Sequence, residues 1–219
     1  PGAGTLTRSI LKLNENKIIL IEKDKSLIKL LENLKEKNNS IEIYNEDALS
    51  LPIWKLGSGS REVIANLPYN ISTKILINLL KNSSQFSKLT MMFQKEVANR
   101  IIAKPGSKPY SRLSVITQLK TKTKILFDIP DTAFFPKPKV QSSLVQFIPY
   151  ENEKHNFDFE KMEELTRFVF AKKRKMLRTI FKKEGGSSFL NSINVDPNIR
   201  PENLTLEEFC KLEFALRKY

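Results

Sequence analysis

The chain alternates short apolar runs with amphipathic stretches, a pattern typical of an α/β protein. Residues 17–22 have the sequence Lys-Ile-Ile-Leu-Ile-Glu, a continuous aliphatic run that predicts a buried parallel strand. Residues 26–37 have apolar side chains at helical spacing and predict an amphipathic helix. The alternation continues to about residue 150, with further strands predicted at 41–44, 62–66, 89–93, 122–129 and 140–148 and helices at 72–80, 95–103 and 112–119. Strands that alternate with helices indicate a sheet that is parallel in its first part, and the last two strands suit an antiparallel hairpin.

The pattern changes after residue 150. Residues 150–158 are polar and charged, as in a linker, and the rest of the chain predicts helices at 159–183 and 206–217 with a break at Gly185-Gly186. We therefore expect an α/β domain over residues 1–150 and a small helical domain over residues 151–219.

Composition narrows the classes of protein. Of 219 residues, 40% are hydrophobic, which allows a sizeable core, and no apolar run approaches the length of a membrane span. One cysteine and one histidine exclude a disulfide scaffold and a zinc cluster, and a reducing, cytoplasmic setting fits best. The net charge of +13 favours a polyanionic partner, either nucleic acid or an anionic membrane surface. A lysine-rich surface with no such partner is the alternative explanation.

Three features at predicted strand ends suit a nucleoside ligand. The glycines of the turn at Gly2 and Gly4 allow close approach of a ligand to the backbone. Glu22 ends the strand predicted at 17–22, at a position where an acid commonly accepts both hydroxyls of a ribose, and Asp47 follows the next strand, where it suits an adenine amino group. Each feature alone also fits a tight turn, a helix N-cap or a solvated loop. Together they predict a nucleoside cofactor at the carboxyl ends of the strands.

A fourth feature lies after the strand at 62–66, where the chain continues Asn66-Leu67-Pro68-Tyr69. The lone pair of a conjugated exocyclic amino group is delocalised into the ring, so the group is a poor nucleophile. Acceptors that bind its two hydrogens push the nitrogen toward sp³ geometry and free that lone pair. The Asn66 side chain and the Leu67 carbonyl are suitable acceptors, Pro68 stiffens the turn, and Tyr69 offers a stacking ring. An ordinary strand–turn–helix junction is the alternative.

Seven segments carry a resemblance to a known family: PGAGTLT (1–7), IEKD (21–24), EDAL (46–49), ANLPYNIST (65–73), FQKEVANR (93–100), SRLSV (111–115) and FFPKPKVQSS (134–143). In this order they resemble the ribosomal RNA adenine N6,N6-dimethyltransferases, most closely the small-subunit KsgA (RsmA) branch. The resemblance covers nearly the whole chain. Its tetrapeptide Asn-Leu-Pro-Tyr is more similar to this RNA group than to the Pro-Pro-Tyr motifs of DNA amino-methylases.

The resemblance implies a class I methyltransferase fold with a Rossmann-like sheet, S-adenosylmethionine as methyl donor and no metal. It implies small-subunit ribosomal RNA as the partner, no membrane, and a protein that acts as a monomer. Asn66 falls where the family motif touches both cofactor and target amino group, and Phe134 falls where the family has a second stacking aromatic, although the adjacent Phe135 also fits. The residues implied for the cofactor are Gly2, Gly4, Glu22, Asp47, Ala48 and Asn66, and those implied for the reaction are Asn66, Leu67, Pro68, Tyr69 and Phe134.

RNA binding is expected at basic residues. The stretch 165–183 contains eight Lys and Arg residues and no acid, which predicts a basic helical ridge. For any single lysine, the alternative to RNA binding is an ordinary solvent-exposed position. The candidate RNA-binding residues are Arg112, Lys137, Lys139, Lys172, Lys173, Arg174, Lys175 and Arg178.

Two departures from the family pattern qualify these expectations. The family has a strand ending in acid-x-Gly before the segment equivalent to Pro1, so the sheet of this chain is expected to lack that strand and part of the cofactor site. Ser111 stands where the family usually has Gly. Three alternatives stay open: a large-subunit Erm-type dimethylase that confers macrolide resistance, a non-catalytic RNA-binding assembly factor, and a DNA amino-methylase.

Overall fold

A computed structural model of the chain describes residues 1–13, 17–134, 140–152 and 155–217. The chain divides into two compact units, Pro1–Met92 and Phe93–Tyr219. The sequence predicts a domain boundary near residue 150. That boundary differs from the division between these units and stays a prediction.

The first unit alternates helices and strands. Its elements are α1 (Thr5–Leu11), β1 (Ile18–Ile21), α2 (Lys25–Lys35), β2 (Ile41–Tyr44), β3 (Glu62–Ala65), α3 (Tyr69–Lys81) and β4 (Lys88–Gln94), the last of which runs into the second unit. Short 3-10 turns occupy Ile53–Lys55 and Ser83–Gln85. The predicted strands are confirmed, and α1 is a further helix near the start of the chain.

The strands of the first unit form two parallel pairs. In the first, Ile18 to Ile21 of β1 lie opposite Ile41 to Tyr44 of β2. In the second, β3 pairs with β4. Among the described residues β1 has no strand partner besides β2, so its aliphatic run is less buried than predicted and only Leu20 is fully enclosed.

The core of the first pair is a small aliphatic cluster. Leu20, Leu31 and Ile41 are buried together, and Ile28 and Leu34 of α2 pack against them. Asp24 begins α2 by accepting a hydrogen bond from the backbone N–H of Ser26. An Asp at this position satisfies one of the free N–H groups of the first turn.

The second unit combines a hairpin with helices. Its elements are α4 (Lys95–Ile101), α5 (Arg112–Lys120), β5 (Thr121–Ile129), β6 (Ser142–Pro149), α6 (Phe159–Phe170), α7 (Leu177–Ile180), α8 (Ser187–Ser192) and α9 (Leu206–Leu216), with 3-10 turns at Asp131–Ala133, Lys182–Glu184 and Pro201–Asn203. Strands β5 and β6 are antiparallel, as predicted, with an irregularity between Ile125 and Phe127. Ser111 forms a capping box with Ser114 at the start of α5, which gives a structural role to the residue that departs from the family pattern.

The basic segment of the second unit is not the helical ridge that its composition predicts. Helix α6 ends at Phe170, and residues 171–176 form turns before α7 begins at Leu177. The reason is tertiary: the Leu177 side chain is fully buried, and its backbone N–H donates to the carbonyl of Ile199 at 2.9 Å. A continuous helix would have used that N–H within the helix.

Candidate active site

Glu22 and Asn45 lie side by side at the carboxyl ends of β1 and β2. The strand register places Ile21 opposite Tyr44, and the backbone N–H of Glu22 extends the ladder to the Tyr44 carbonyl at 3.0 Å. The Asn45 side chain donates to the Glu22 carbonyl at 2.9 Å. The two strand ends are therefore tied together where a parallel sheet presents its ligand-binding edge.

The Glu22 carboxylate is held in a fixed orientation. One oxygen accepts the backbone N–H of Gly2 at 3.0 Å, and the other accepts that of Asp24 at 2.9 Å. A carboxylate has about four acceptor positions, so capacity for hydroxyl donors remains. The predicted acid thus meets the predicted glycine turn.

The two glycines of this turn differ in their surroundings. A Cβ on Gly2 would have no heavy atom within 4 Å, whereas a Cβ on Gly4 would lie 2.6 Å from Cδ1 of Leu34. Gly4 also has φ +82, a conformation that disfavours side chains. Packing and backbone conformation explain why position 4 is a glycine, and open space remains beside Gly2.

The Asp47 carboxylate is paired with Lys23, a contact that the sequence did not predict. Lys23 Nζ donates to Asp47 Oδ2 at 2.8 Å, and the backbone N–H of Leu49 donates to Oδ1 at 2.9 Å. The hydrogen bond from Lys23, followed by that from Leu49, lowers the pKa of Asp47 below the usual carboxyl value. Ala48, the next residue, is half-buried in the same turn.

Helix α3 reaches this turn as well. The Asn78 side chain of α3 donates to the Leu49 carbonyl at 3.4 Å, a long hydrogen bond. Asn78 lies nine residues after Tyr69, so this contact joins the C-terminal half of α3 to the turn that holds Asp47. Asn78 was not predicted, because nothing in a helical stretch marks one outward-facing amide as a contact.

The Asn66–Tyr69 segment presents two free acceptors. Asn66 is exposed and Leu67 half-buried immediately after β3. In the part of the chain that the structure describes, neither the Asn66 side chain nor the Leu67 carbonyl takes part in a hydrogen bond. Pro68 precedes α3, which starts at Tyr69 rather than at the predicted residue 72, so the Tyr69 backbone is fixed in a first helical turn.

A family model described as "Ribosomal RNA adenine dimethylase" matches residues 1–218. The chain belongs to the ribosomal RNA adenine dimethylase family.

Similar proteins and structures agree with this assignment. The chain is 44% identical over 97% of its length to the Ribosomal RNA small subunit methyltransferase A of Wolbachia pipientis subsp. Culex pipiens, covering 81% of that protein. It is 38% identical to the protein of the same name from Ehrlichia chaffeensis, again over 97% of the chain and 82% of the relative. A dimethyladenosine transferase from Plasmodium falciparum matches with a TM-score of 0.81 and 28% identity, over 99% of this chain and 87% of that one. The structure of 23S rRNA methyltransferase ErmE matches with a TM-score of 0.70 and 20% identity, over 99% of this chain and 88% of that one. At this identity the match supports the class I methyltransferase fold alone.

The second aromatic implied by the family lies in the second unit. Phe134 is half-buried at the end of a 3-10 turn, and its N–H donates to the Asp131 carbonyl at 3.3 Å. Its stacking role stays a prediction. Phe135, Lys137 and Lys139 lie outside the described residues.

The basic residues predicted for RNA fall into two groups. Arg112 is paired with Glu163, and Arg178 donates to the Asn198 side chain, so both already have protein partners. Lys173, Arg174 and Lys175 are exposed on the turn after α6. None of these three forms an ion pair with a carboxylate in the ranges that the structure covers.

The described residues can also be compared with the requirements of a metal site and of a membrane-spanning helix. They contain no group of three or more His, Cys, Asp or Glu side chains placed to hold a metal ion. No helix within them has the length and apolar character needed to cross a membrane.

Proposed function

We propose that this protein dimethylates N6 of adenosine in small-subunit ribosomal RNA, with S-adenosylmethionine as the methyl donor. The observation that carries the proposal is the pair of unengaged acceptors at Asn66 and Leu67. Within the described residues these two oxygens accept no hydrogen bond from the protein, directly after β3, so they are available to the hydrogens of an amino group. The names of the relatives at about 40% identity support the small-subunit substrate.

The residues at the strand ends fit the proposed cofactor. Glu22, oriented by Gly2 and Asp24, would hold the ribose hydroxyls, and Asp47 with Ala48 would hold the adenine. The open space beside Gly2 leaves room for a ligand next to the carboxylate. When bound, S-adenosylmethionine supplies an electrophilic methyl group.

Asn66 and Leu67 would activate the target amino group. Their oxygens would accept its two hydrogens, which concentrates the lone pair on nitrogen. Pro68 restricts the backbone that carries these acceptors, and α3 continues it from Tyr69, so orientation and electrostatics would supply most of the acceleration.

The segment offers no obvious general base. Asn66, Leu67 and Pro68 have no titratable side chain, and the positively charged nitrogen formed by methyl transfer is acidic enough to release a proton to water. The target base would leave its stack to reach these acceptors, and the Tyr69 ring would stack on it.

RNA binding would use the turn of residues 171–176, called the basic turn below. Its exposed Lys173, Arg174 and Lys175 are available to phosphates, which give affinity, while the shape of the folded RNA gives recognition. The predicted contributions of Lys172, Arg178 and Arg112 form part of the same proposal, as do a monomeric state and a cytoplasmic setting.

Two other functions are less well supported. The similarity to the Erm-type structure, at 20% identity, shows the fold alone and gives no support to a large-subunit activity. A non-catalytic assembly factor would not need the free acceptors of Asn66 and Leu67.

The direct test supplies tritiated S-adenosylmethionine to the protein with small ribosomal subunits that lack the modification, followed by digestion to nucleosides. We expect label in N6,N6-dimethyladenosine, and no label with Asn66→Ala. Tight subunit binding without label would favour the assembly factor. Label only with naked large-subunit RNA would favour the Erm-type activity.

A further inference from the structure

An exposed aromatic ring stands beside the basic turn. Phe168 lies in the last turn of α6 and is 39% exposed, so part of its ring faces solvent. Lys172 Nζ lies 3.7 Å from the centre of its ring, so a cation rests on the aromatic face.

The ring is supported from beneath. Its centre lies 6.0 Å from that of Phe181 at an interplanar angle of 57°, and Phe181 is 1% exposed. Phe181 in turn contacts Phe189 at 6.0 Å. The exposed ring of Phe168 is therefore anchored to the core of the second unit through a series of aromatic contacts, and its position is fixed before any ligand binds.

The charge around the ring selects the type of ligand. Lys172, Lys173, Arg174 and Lys175 follow it directly, and none of them is paired with a carboxylate in the described part of the chain. An apolar protein segment on this surface would bury unpaired cations at high cost. A nucleic acid strand supplies both a flat base for the ring and phosphates for the cations.

We propose that Phe168 is a stacking platform for an unpaired RNA base, with the basic turn holding the phosphates on either side. Lys172 leaves the ring face and binds a phosphate when the base stacks. The proposal rests on the proposed function only in that RNA is taken as the natural ligand.

The chain offers a matched control in Phe214 of α9. This ring is 52% exposed and also has a cation near it, Arg217 Cζ at 5.8 Å from its centre. Lys211 and Arg217 lie one helical turn from it, Arg217 is paired with the buried Glu213, and Glu207 lies nearby, so the ring lacks the four consecutive cations that follow Phe168. Phe214→Leu therefore removes an exposed phenylalanine of the same unit from a surface without a cluster of unpaired cations.

The test compares the whole chain with Phe168→Leu, Phe168→Trp and Phe214→Leu. Three ligands are titrated: a single-stranded RNA dodecamer with one 2-aminopurine, the same sequence as a duplex, and a heparin oligosaccharide, which is anionic but has no bases. We expect Phe168→Leu to weaken single-strand binding at least about fivefold and to abolish the quenching of 2-aminopurine. Duplex and heparin affinities should stay within about twofold, because their phosphates or sulfates still bind the basic turn. Phe168→Trp should retain the quenching, and Phe214→Leu should behave as the unaltered protein.

Three outcomes would overturn the platform: unchanged single-strand affinity in Phe168→Leu, an equal loss for all three ligands, or no measurable single-strand binding by the unaltered protein. Methyl transfer is measured on the same preparations. If the unaltered protein dimethylates RNA and Phe168→Leu does not change single-strand RNA affinity, the stacking platform is refuted and the proposed function stands. If Phe168→Leu loses single-strand affinity but the unaltered protein shows no dimethylation, the proposed function is refuted and the platform stands.

Discussion

Lys23 Nζ donates a hydrogen bond to Asp47 Oδ2 at 2.8 Å, across 24 residues of sequence. The two residues follow neighbouring parallel strands, so the pairing of β1 with β2 brings them to one edge. The lysine occupies one oxygen of the carboxylate that the family resemblance assigns to the adenine. Because Lys23 lowers the pKa of Asp47, the pair persists at neutral pH and is lost only on acidification below the usual carboxyl range.

Replacing Lys23 should strengthen cofactor binding. In Lys23→Met the carboxylate no longer has a competing donor, and we expect S-adenosylhomocysteine to bind more tightly by up to about fivefold, the scale of an exposed ion pair. Isothermal titration calorimetry measures this, with Lys25→Met as the control because Lys25 is an exposed lysine at the start of α2. Weaker binding in Lys23→Met alone would show that the lysine instead contributes a contact to the cofactor.

Asn66→Ala should abolish methyl transfer. Loss of one positioned hydrogen-bond partner of the reacting group costs about 10²- to 10³-fold in rate, while RNA affinity should change by less than about threefold because phosphates dominate it. Asn70→Ala, an exposed amide in the first turn of α3, is the control. Single-turnover kinetics and filter binding report the two quantities, and a collapse of RNA binding in Asn66→Ala would mean that Asn66 is structural.

Charge reversal in the basic turn should weaken RNA binding in a salt-dependent manner. For the double variant Lys173→Glu with Lys175→Glu, we expect the slope of log affinity against log salt to fall by about 0.7 for each phosphate that the turn no longer binds. Exposed lysines on α6 and α9 allow a control with the same change in charge, Lys161→Glu with Lys211→Glu. Equal affinities of the two double variants at every salt concentration would rule out a specific role of the turn.

Gly4→Ala should destabilise the first unit more than Gly2→Ala. Both glycines have positive φ, at +82 and +57, so each alanine meets a backbone penalty of about 1–2 kcal/mol. Only at position 4 does the new Cβ also meet Leu34, at 2.6 Å. Urea unfolding of both variants compares the two losses. Equal losses would mean that the Leu34 side chain moves aside at no measurable cost.

Cys210 should react slowly with alkylating reagents. Burial, with Glu213 and Glu207 nearby, raises the pKa of this thiol to about 11, so little thiolate exists at pH 8. We expect alkylation by iodoacetamide at pH 8 to be at least about tenfold slower than that of glutathione, and its rate to rise as the pH approaches 11. Mass spectrometry follows the reaction, and a rate equal to that of glutathione would contradict the raised pKa.

Most elements of the fold were predictable from the sequence. Hydrophobic period and residue type are local properties, so the strands at 18–21, 41–44 and 62–65 and the hairpin of β5 with β6 agree with the expectations. The segment Asn66–Tyr69 was recognisable because all four residues are adjacent in the chain.

Contacts between distant residues were decided by the tertiary structure alone. Lys23 meets Asp47 only because two strands pair in one register, and Arg112 meets Glu163 only because α5 and α6 pack together. The basic turn is likewise a tertiary outcome: Lys and Ala favour helix, but the burial of Leu177 and its backbone bond to Ile199 end that helix. Such bonds join positions tens of residues apart, and no periodicity within a single segment encodes them.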